Sequence, residues 1–356
     1  MRTYKYYTFL FFALVTLVLL FHFVVWNLYT SHVFPVKHNI GDLGRMSYKL
    51  DSLQARQKIV TLDKQHISFD GWKGERIDIL TIGDSFSNGG GEGENAYYQD
   101  HLASKYDLNI LNIQNVAPAN NYLETIYMLN NSGLLDELKP KIILFESTEW
   151  QVLNRFSNIM NKTITEDKEN ILKSLKSLKY KSSKAEINFI NNLNYNAFFY
   201  NIAYDFDDNA YKSNCYITKL NGEFFSSKDN KSLLFYKHTI KYNKSITKEK
   251  VNKLNENLNS LANVLEGKNI KLYFMPAVDK FNLYEKYLID NKYGKSSFFE
   301  LLRKMPKNYK LIDTKAILEK KVDKGVKDIF YADDTHWSYK ASEAIADSLQ
   351  ELKSLK

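Results

Sequence analysis

A serine and a histidine lie far apart in the chain, each beside aspartates, and have the residue types that acyl transfer requires. Ser85 ends the sequence Gly83-Asp84-Ser85 after an apolar run, and His336 follows Asp333 and Asp334. A serine hydroxyl is only weakly nucleophilic and needs a base within hydrogen-bond reach, which a carboxylate must in turn orient. Gly-Asp-Ser alone is usually an ordinary turn, but the second motif makes Ser85, His336 and one of the two aspartates a candidate catalytic triad.

Alternating apolar runs and helical patterns indicate an α/β fold that would bring these residues together. Strands are predicted over residues 77–82, 108–113, 142–145, 270–275 and 309–313, and helices over residues 123–135, about 251–265 and 339–352. This order is typical of a central parallel sheet with right-handed crossovers. Ser85 would then lie at the carboxyl edge of the sheet, where open α/β folds bind ligands, and His336 just before the docked last helix.

The N-terminus predicts a membrane anchor. An apolar stretch of residues 9–28 is long enough to cross the hydrocarbon layer, which needs roughly 20 residues. Arg2 and Lys5 precede it, so the short N-terminus is expected in the cytoplasm and the rest of the chain outside. A cleavable signal peptide is the alternative, although no small-residue cleavage site follows Val25. His22, near the end of the span, is expected simply to reach the membrane interface.

Three further regions are predicted from composition. Residues 31–75 are expected to form a linker, and residues 76–356 a catalytic domain with an insertion at about 155–248. The aromatic residues of the insertion suggest a lid or a sugar-stacking face, or more simply a small additional core. Within it, residues 164–183 have the pattern of an exposed amphipathic helix. Residues 88–93 are a glycine-rich loop beside Ser85 that lacks the ending of a phosphate-binding loop.

Charge and cysteine content exclude several classes of function. The net charge of +8 comes from lysines spread along the chain, without the compact basic block typical of nucleic-acid binding. The single cysteine, Cys215, excludes an intramolecular disulfide and a cysteine-based zinc site. No metal site and no cofactor are expected.

The motifs in this order resemble the SGNH/GDSL hydrolase superfamily, which has a serine in its first motif and an Asp/His pair in its last. The sequences Asp334-Thr335-His336-Trp337, 275–280 and 145–149 further resemble the SGNH-type O-acetyltransferases of bacterial exopolysaccharides, such as the alginate acetylation proteins. The resemblance covers roughly residues 76 to 350 without the insertion. In the alginate proteins, however, the Asp-x-His motif precedes the serine motif, whereas here it follows.

The resemblance implies a fold and a set of roles. The fold would be a flavodoxin-like three-layer sandwich. The acid would be Asp334 by the spacing of the acetyltransferases, or Asp333 by that of the wider superfamily. The oxyanion would be met by the N–H groups of Ser85 and Ala117 and by Asn120, with Asn121 as an alternative. Candidate substrate contacts in the matching motifs are Asp84, Lys280 and Trp337.

The function implied is a membrane-anchored O-acetyltransferase that moves an acetyl group through Ser85 to hydroxyls of a cell-envelope or secreted polysaccharide. Its location would be the bacterial inner membrane, with the catalytic domain in the periplasm or outside. A multi-pass membrane O-acyltransferase would supply the acetyl group, and no nucleic-acid partner is expected. Two alternatives stay open: an acetyl esterase with the same triad, and a catalytically silent glycan-binding subunit.

Overall fold

The computed structural model describes residues 2–31, 40–54, 56, 62–91, 97–177 and 189–355. It begins with helix α1 (Arg2–Val25), which continues into a π-helical turn, Trp26–Thr30. Within the described residues, this is the one helix long and apolar enough to cross a membrane, and little of its surface is covered by the rest of the protein. These properties are those expected of a single membrane-spanning anchor.

A six-stranded sheet, parallel throughout, forms the centre of the protein. Its strand order is β1-β3-β2-β4-β7-β8, and a separate antiparallel pair consists of β5 (Cys215–Lys219) and β6 (Ser232–Tyr236). The strands of the large sheet are β1 (Ile67–Ser68), β2 (Ile79–Ile82), β3 (Ile110–Ile113), β4 (Ile142–Thr148), β7 (Lys271–Ala277) and β8 (Lys310–Leu311). Apart from the short edge strand β1, this is the 2-1-3-4-5 order of flavodoxin-like folds.

Helices cover both faces of the sheet. They are α2 (Asp42–Ser47), α3 (Tyr98–Tyr106), α4 (Tyr122–Asn131), α5 (Leu134–Leu138), α6 (Glu149–Phe156), α7 (Lys168–Ser177), α8 (Leu193–Ala203), α9 (Lys237–Ser245), α10 (Lys248–Glu266), α11 (Lys280–Tyr284), α12 (Phe298–Arg303), α13 (Thr314–Asp323) and α14 (Tyr339–Ser348). Helices α3, α13 and α14 pack together, as do α4, α6, α10 and α12. Right-handed crossovers in opposite directions from β2 place these two groups on opposite faces.

The strand register brings three chain segments level at the carboxyl edge of the sheet. Ile82 pairs with Phe145, and Thr148 pairs with Ala277. Ser85 lies three residues after Ile82, and Thr148 lies three residues after Phe145. The end of β2 therefore lies beside the end of β4. The strand order reverses between β2 and β4, and ligands of such folds bind outside the strand ends at this point.

The predicted α/β architecture with a central parallel sheet is confirmed, with small shifts at the element ends. All five predicted strands are present, and the strand predicted to end at residue 145 continues to Thr148. The helix predicted over residues 123–135 is divided into α4 and α5 at Gly133, whose φ of 77° is the left-handed conformation that glycine adopts readily. The predicted last helix ends at Ser348 and continues as a 3₁₀ segment, Gln350–Leu355.

The residues predicted to be a linker include folded elements of the domain. Helix α2 and strand β1 both lie between residues 31 and 75, and Leu43 in α2 is fully buried against Cys215 and Leu234 of the insertion. Residues 32–39, 55 and 57–61 of the same segment lie outside the described residues. The chain therefore packs against its own core well before residue 76.

The insertion contributes to the main core. Phe225, Leu233 and Phe235 are fully buried within the hydrophobic cluster that surrounds the central sheet. Residues 92–96, which include part of the predicted glycine-rich loop, and residues 178–188, which include the end of the predicted amphipathic helix, lie outside the described residues. Helix α7 accounts for the described part of that amphipathic pattern and buries Ile171 and Leu175.

Candidate active site

The turn that carries Ser85 is held by a buried carboxyl group. Glu146 in β4 is fully buried, and its Oε2 accepts hydrogen bonds from the Asp84 N–H at 3.0 Å and from Ser87 Oγ at 2.8 Å. Burial, and then the charge of Asp84, raises the pKa of Glu146 well above its usual value, which favours the neutral form. A Cβ on Gly83 would lie 2.3 Å from Glu146 Oε2, so the turn requires glycine at that position.

His336 reaches the same turn from the loop before α14. Its Nε2 lies 2.7 Å from Ser85 Oγ, although the two residues are 251 positions apart in the chain. Its Nδ1 lies 2.7 Å from Asp334 Oδ1, which also accepts the His336 backbone N–H at 3.0 Å. An ionised Asp334 can only accept, so Nδ1 carries the ring proton and Nε2 is left to accept a proton from Ser85.

The two neighbouring aspartates have different partners. Asp333 does not contact the imidazole; its carboxylate accepts from Arg56 at 2.8 Å and from the Gly41 N–H at 3.0 Å. Its carbonyl also accepts the Gly44 N–H at 2.8 Å, which fixes α2 to the histidine loop. Of the two acids left open by the sequence, Asp334 is therefore the one bonded to His336.

Arg56 and Asp42 also contact this loop, and neither belongs to a recognisable motif. The Arg56 guanidinium binds Asp333 and Asp334, each at 2.8 Å, and donates through Nε to the Gly91 carbonyl at 3.0 Å. Asp42 accepts from both the N–H and the hydroxyl of Thr335. Arg56 thus joins the glycine-rich loop to the acid of the triad, and Asp42 fixes the residue before the imidazole.

The acidic surroundings shift the titration of His336. Burial lowers its pKa, but the Asp334 carboxylate, with smaller contributions from Asp42 and Asp84, raises it more, to about 9. Burial alone would raise the pKa of Asp334, but His336 and Arg56 hold it below its usual value. Burial and the nearby Asp334 raise the pKa of Asp42 to about 6. The site therefore stabilises the imidazolium, the form that follows proton uptake from serine.

A pH profile is expected to report this shift. Only neutral imidazole can accept the Ser85 proton, so kcat/KM for 4-nitrophenyl acetate should rise as the pH increases toward about 9. Asp42→Asn removes a negative charge that is present at that pH and should move the midpoint down, by up to about one pH unit. Rates are corrected for spontaneous hydrolysis, and Asp205→Asn, at an exposed site elsewhere, is the control. An unchanged or higher midpoint in Asp42→Asn would contradict the assigned electrostatics.

Gly90 lies against the imidazole. A Cβ built on it would be 2.3 Å from both Nε2 and Cδ2 of His336. Arg56 binds the carbonyl of the next residue, Gly91, whose φ of 89° also favours glycine. The glycine-rich loop is thus packed directly on the His336 imidazole, and at residues 90 and 91 its glycines allow close approach.

A cavity of about 400 Å³ opens beside Ser85 at the switch point of the sheet. The triad residues Ser85 and His336 lie in its wall, with strand ends, α2 and the insertion around them. Its other lining residues are Asp42, Met46, Asp84, Phe86, Thr148, Trp150, Gln151, Arg155, Tyr236, Ala277, Val278, Asp279 and Thr335. The volume is within the range of small-molecule sites, and an acyl group or a sugar residue would fit.

One face of the cavity is polar and lies at the end of β4. Arg155 donates to Asp84 Oδ2 at 2.8 Å, and the Thr148 N–H donates to the same oxygen at 2.8 Å. Thr148 Oγ1 is buried and has no hydrogen-bond partner among the described residues. An unsatisfied buried hydroxyl is costly, so a donor of this kind in a cavity wall is a candidate ligand-binding group.

Of the candidate substrate contacts, only Asp84 lines the cavity. Lys280 is buried, and its Nζ donates to the carbonyls of Tyr331, Ala332 and Asp334 at 2.7 to 3.1 Å. All three of its protons are thereby used to hold the histidine loop. Trp337 is also buried and packs on Phe86, with ring centroids 4.3 Å apart. Both residues hold the serine turn and the histidine loop in place and do not line the cavity.

The two predicted oxyanion donors outside the serine turn are also absent from the cavity wall. Ala117 precedes a cis peptide bond to Pro118, in a loop tied to α4. Asn120 donates to Glu124 Oε2 through both its backbone and its side chain, each at 2.9 Å. Asn121 caps α4 by accepting the Glu124 N–H. The loop after β3 is thus occupied with the start of α4, on the opposite side of Ser85 from the cavity lining contributed by β4 and β7.

Among the described residues, the one cluster of side chains that could hold a cation overlaps the Asp334–His336 pair. Asp42, Asp334 and His336 each offer one ligand atom within 4.8 Å of the others. However, His336 Nδ1 and Asp334 Oδ1 are already bonded to each other. The arrangement as it stands suits proton transfer from a serine hydroxyl.

Comparison of the chain with protein-family models, with curated proteins and with solved structures gives no significant match.

Proposed function

We propose that this chain is a membrane-anchored O-acetyltransferase of the SGNH type, which carries an acetyl group on Ser85 and transfers it to a hydroxyl of a cell-envelope or secreted polysaccharide. The observation that carries the proposal is the unbroken chain of hydrogen bonds from Ser85 Oγ through His336 to Asp334. The flavodoxin-like strand order and the position of Ser85 at the switch point support the superfamily assignment. The apolar α1 supports attachment to the bacterial inner membrane, with the domain outside.

The reaction proceeds in two displacements. His336 Nε2 takes the Ser85 hydroxyl proton as Oγ forms a bond to the acyl carbonyl carbon, and the resulting imidazolium then protonates the leaving group of the donor. In the second half, His336 takes the proton of an acceptor hydroxyl, which attacks the acyl-enzyme and releases Ser85 with its proton restored. Asp334 keeps the proton on Nδ1 throughout and stabilises the imidazolium.

The oxyanion formed in each step needs donors on the cavity side of Ser85. The Ser85 N–H is one of the predicted donors. In place of Ala117 and Asn120 we assign the Thr148 hydroxyl as the second, because Thr148 lines the cavity and its buried hydroxyl has no hydrogen-bond partner among the described residues. Arg155 adds a positive charge beside Asp84 on the same face.

A matched pair of substitutions tests the Thr148 assignment. Thr148→Val keeps the shape but removes the hydroxyl, and should lower kcat/KM for 4-nitrophenyl acetate by about 10² to 10³-fold. Thr148→Ser restores a donor and should stay within about ten-fold of the parent protein. Thermal unfolding should be little changed in either variant, since no hydrogen bond within the described residues is lost. Equal activity of the valine and serine variants would exclude the hydroxyl.

Sugar recognition is supported by the aromatic side of the cavity. Trp150 and Tyr236 both line it, with ring centroids 5.7 Å apart, and His238 packs on each of them. Aromatic faces beside carboxylates suit the apolar and hydroxyl-bearing faces of a sugar ring. Tyr236 comes from the insertion, which thereby supplies part of the acceptor side. The acetyl group would be supplied by a multi-pass membrane O-acyltransferase held close by the shared bilayer.

The experiment that tests the function uses the full chain in detergent with 4-nitrophenyl acetate as donor. Acetate release and acetylated sugar are measured by mass spectrometry, with and without a panel of neutral and acidic oligosaccharides. The proposal expects an oligosaccharide product that carries one acetyl group and depends on Ser85. Turnover to acetate alone with every acceptor would identify an esterase. Absence of Ser85-dependent turnover would identify a silent subunit.

A further inference from the structure

Helix α8 has an exposed apolar face. Tyr195, Phe199 and Ile202, with Phe206 in the turn that follows, recur at the spacing of a single helix face and are 40%, 46%, 45% and 88% exposed. None of the residues from Leu193 to Ala203 is charged. An exposed row of large apolar side chains on an uncharged helix is unusual for a surface in water and marks an interaction site.

The side of α8 that adjoins this face packs against the end of α1, and Tyr195 lies at the border between the two. The Asn194 side chain donates to His22 Nδ1 at 2.7 Å, and both residues are buried. The ring of Phe21 stacks on Tyr195 with centroids 4.9 Å apart. Val25 and Ala197 are buried in one apolar cluster. These contacts fix where α8 lies along the axis of α1.

The depth of α8 follows from the helix rise. At 1.5 Å per residue, the apolar residues 9–28 span about 30 Å, the thickness of the hydrocarbon layer. Phe21 and His22 then lie roughly 10 Å inside the outer boundary of that layer. Amphipathic helices in the membrane interface place their apolar faces about 5–10 Å deep. The first turn of α8 is therefore at the depth of such a helix.

We propose that the exposed face of α8, formed by Tyr195, Phe199, Ile202 and Phe206, is embedded among the acyl chains of the outer leaflet. The proposal rests on α1 crossing the bilayer and does not depend on the catalytic assignment. Lipid is the occupant because the face continues directly from a helix that lipid surrounds. Phe23 and Val24 of α1 are themselves exposed, and Phe189, shortly before α8, contacts both Phe23 and Trp26.

This arrangement would bring the cavity close to the membrane. The Asn201 side chain donates to the Tyr48 carbonyl at 2.8 Å, and the rings of Tyr48 and Tyr200 are 5.5 Å apart. Tyr48 directly follows α2, which supplies Asp42 and Met46 to the cavity wall. A helix of six residues, about 9 Å long, therefore separates the embedded helix from the cavity.

Site-specific fluorescence in vesicles tests the proposal. Phe199→Cys and Ile202→Cys are each labelled with an environment-sensitive nitrobenzoxadiazole maleimide, and the full chain is reconstituted in phosphatidylethanolamine and phosphatidylglycerol. Lys324→Cys, at the exposed end of α13, is the matched control. The native Cys215 is buried, and burial raises its pKa to about 12, so it should label little; the parent protein measures this background.

The expected result is blue-shifted emission at positions 199 and 202, quenched several-fold more by lipids with a nitroxide near the head of the acyl chain than by aqueous iodide. Position 324 should show the reverse. Labels at 199 and 202 that iodide quenches as strongly as at 324 would overturn the proposal. Blue-shifted labels that neither reagent quenches would show burial against another protein, and would also overturn it. These readouts need no enzymatic activity, so they can fail independently of the proposed function.

Discussion

Replacing Ser85 with alanine should lower kcat for 4-nitrophenyl acetate by about 10⁴ to 10⁶-fold, the largest effect expected of any single substitution. The reason is the loss of the hydroxyl oxygen that is proposed to form the acyl-enzyme, while His336 and Asp334 keep their positions. What activity is left would come from general binding and the oxyanion donors. The measurement is burst and steady-state release of 4-nitrophenol by the full chain. Mass spectrometry of the quenched protein should find an acetyl group on Ser85 in the parent and none in the variant.

Ser177→Ala serves as the control for the serine substitution. Ser177 is an exposed residue at the end of α7 whose hydroxyl bonds only the helix backbone among the described residues. Both variants should unfold at nearly the same temperature as the parent protein. If Ser85→Ala keeps a tenth or more of the parent activity, the nucleophile is another group, and the proposed mechanism is wrong.

Exchange of each of the two aspartates for asparagine should separate their roles. Asp334→Asn should reduce kcat by about 10⁴-fold, because an amide does not hold the proton on His336 Nδ1. Asp333→Asn should reduce kcat by less than about ten-fold, since Asp333 binds Arg56 and Gly41 and does not touch the imidazole. Its main effect should be on folding, with a loss of about 1–3 kcal/mol in the free energy of unfolding. Arg56 would still retain Asp334 as a counter-ion.

The pair is informative because each variant controls for the other. Kinetics per mole of folded protein and thermal unfolding are measured for both. A large loss of activity in the Asp333 variant with a mild one in the Asp334 variant would reverse the assignment. Comparable losses of kcat in both variants would indicate that the two aspartates have the same role, which is to hold the histidine loop in position.

The parts of the site that directly follow a strand or precede a helix were predictable from the sequence. Apolar runs that end at glycine and polar residues identify strand ends, and parallel strands bring those ends to one edge. Ser85 and His336 could thus be paired across most of the chain. The length of β4 was underestimated because Glu146 and Ser147 are polar, although both are fully buried. The burial of Glu146 cannot be recognised from the sequence around it, because its hydrogen-bond partners, the Asp84 N–H and Ser87, lie in the turn after β2.

The contributions of the segment before residue 76 were not predictable. Asp42 and Arg56 lie among mixed polar residues without helical or strand periodicity, and their roles come from contacts with residues nearly 300 positions later. Lys280 and Trp337 present the opposite problem. Their motifs identified the right loops, but sequence does not say which side chain points to solvent and which to the core. Lys280 is bonded to three carbonyls and Trp337 is packed on Phe86, so neither side chain lines the cavity.

The folding of residues 40–54 and Arg56 onto the histidine loop also sets the boundary for any soluble form of the protein. A truncation that begins at residue 76 would remove the Arg56 guanidinium from two buried carboxylates and, by removing Leu43, would expose Cys215 and Leu234 to water. Such a fragment should aggregate or be inactive for reasons unrelated to membrane attachment. One that starts just before Ile40 would remove the hydrophobic anchor and keep every described residue that touches the imidazole and its acid.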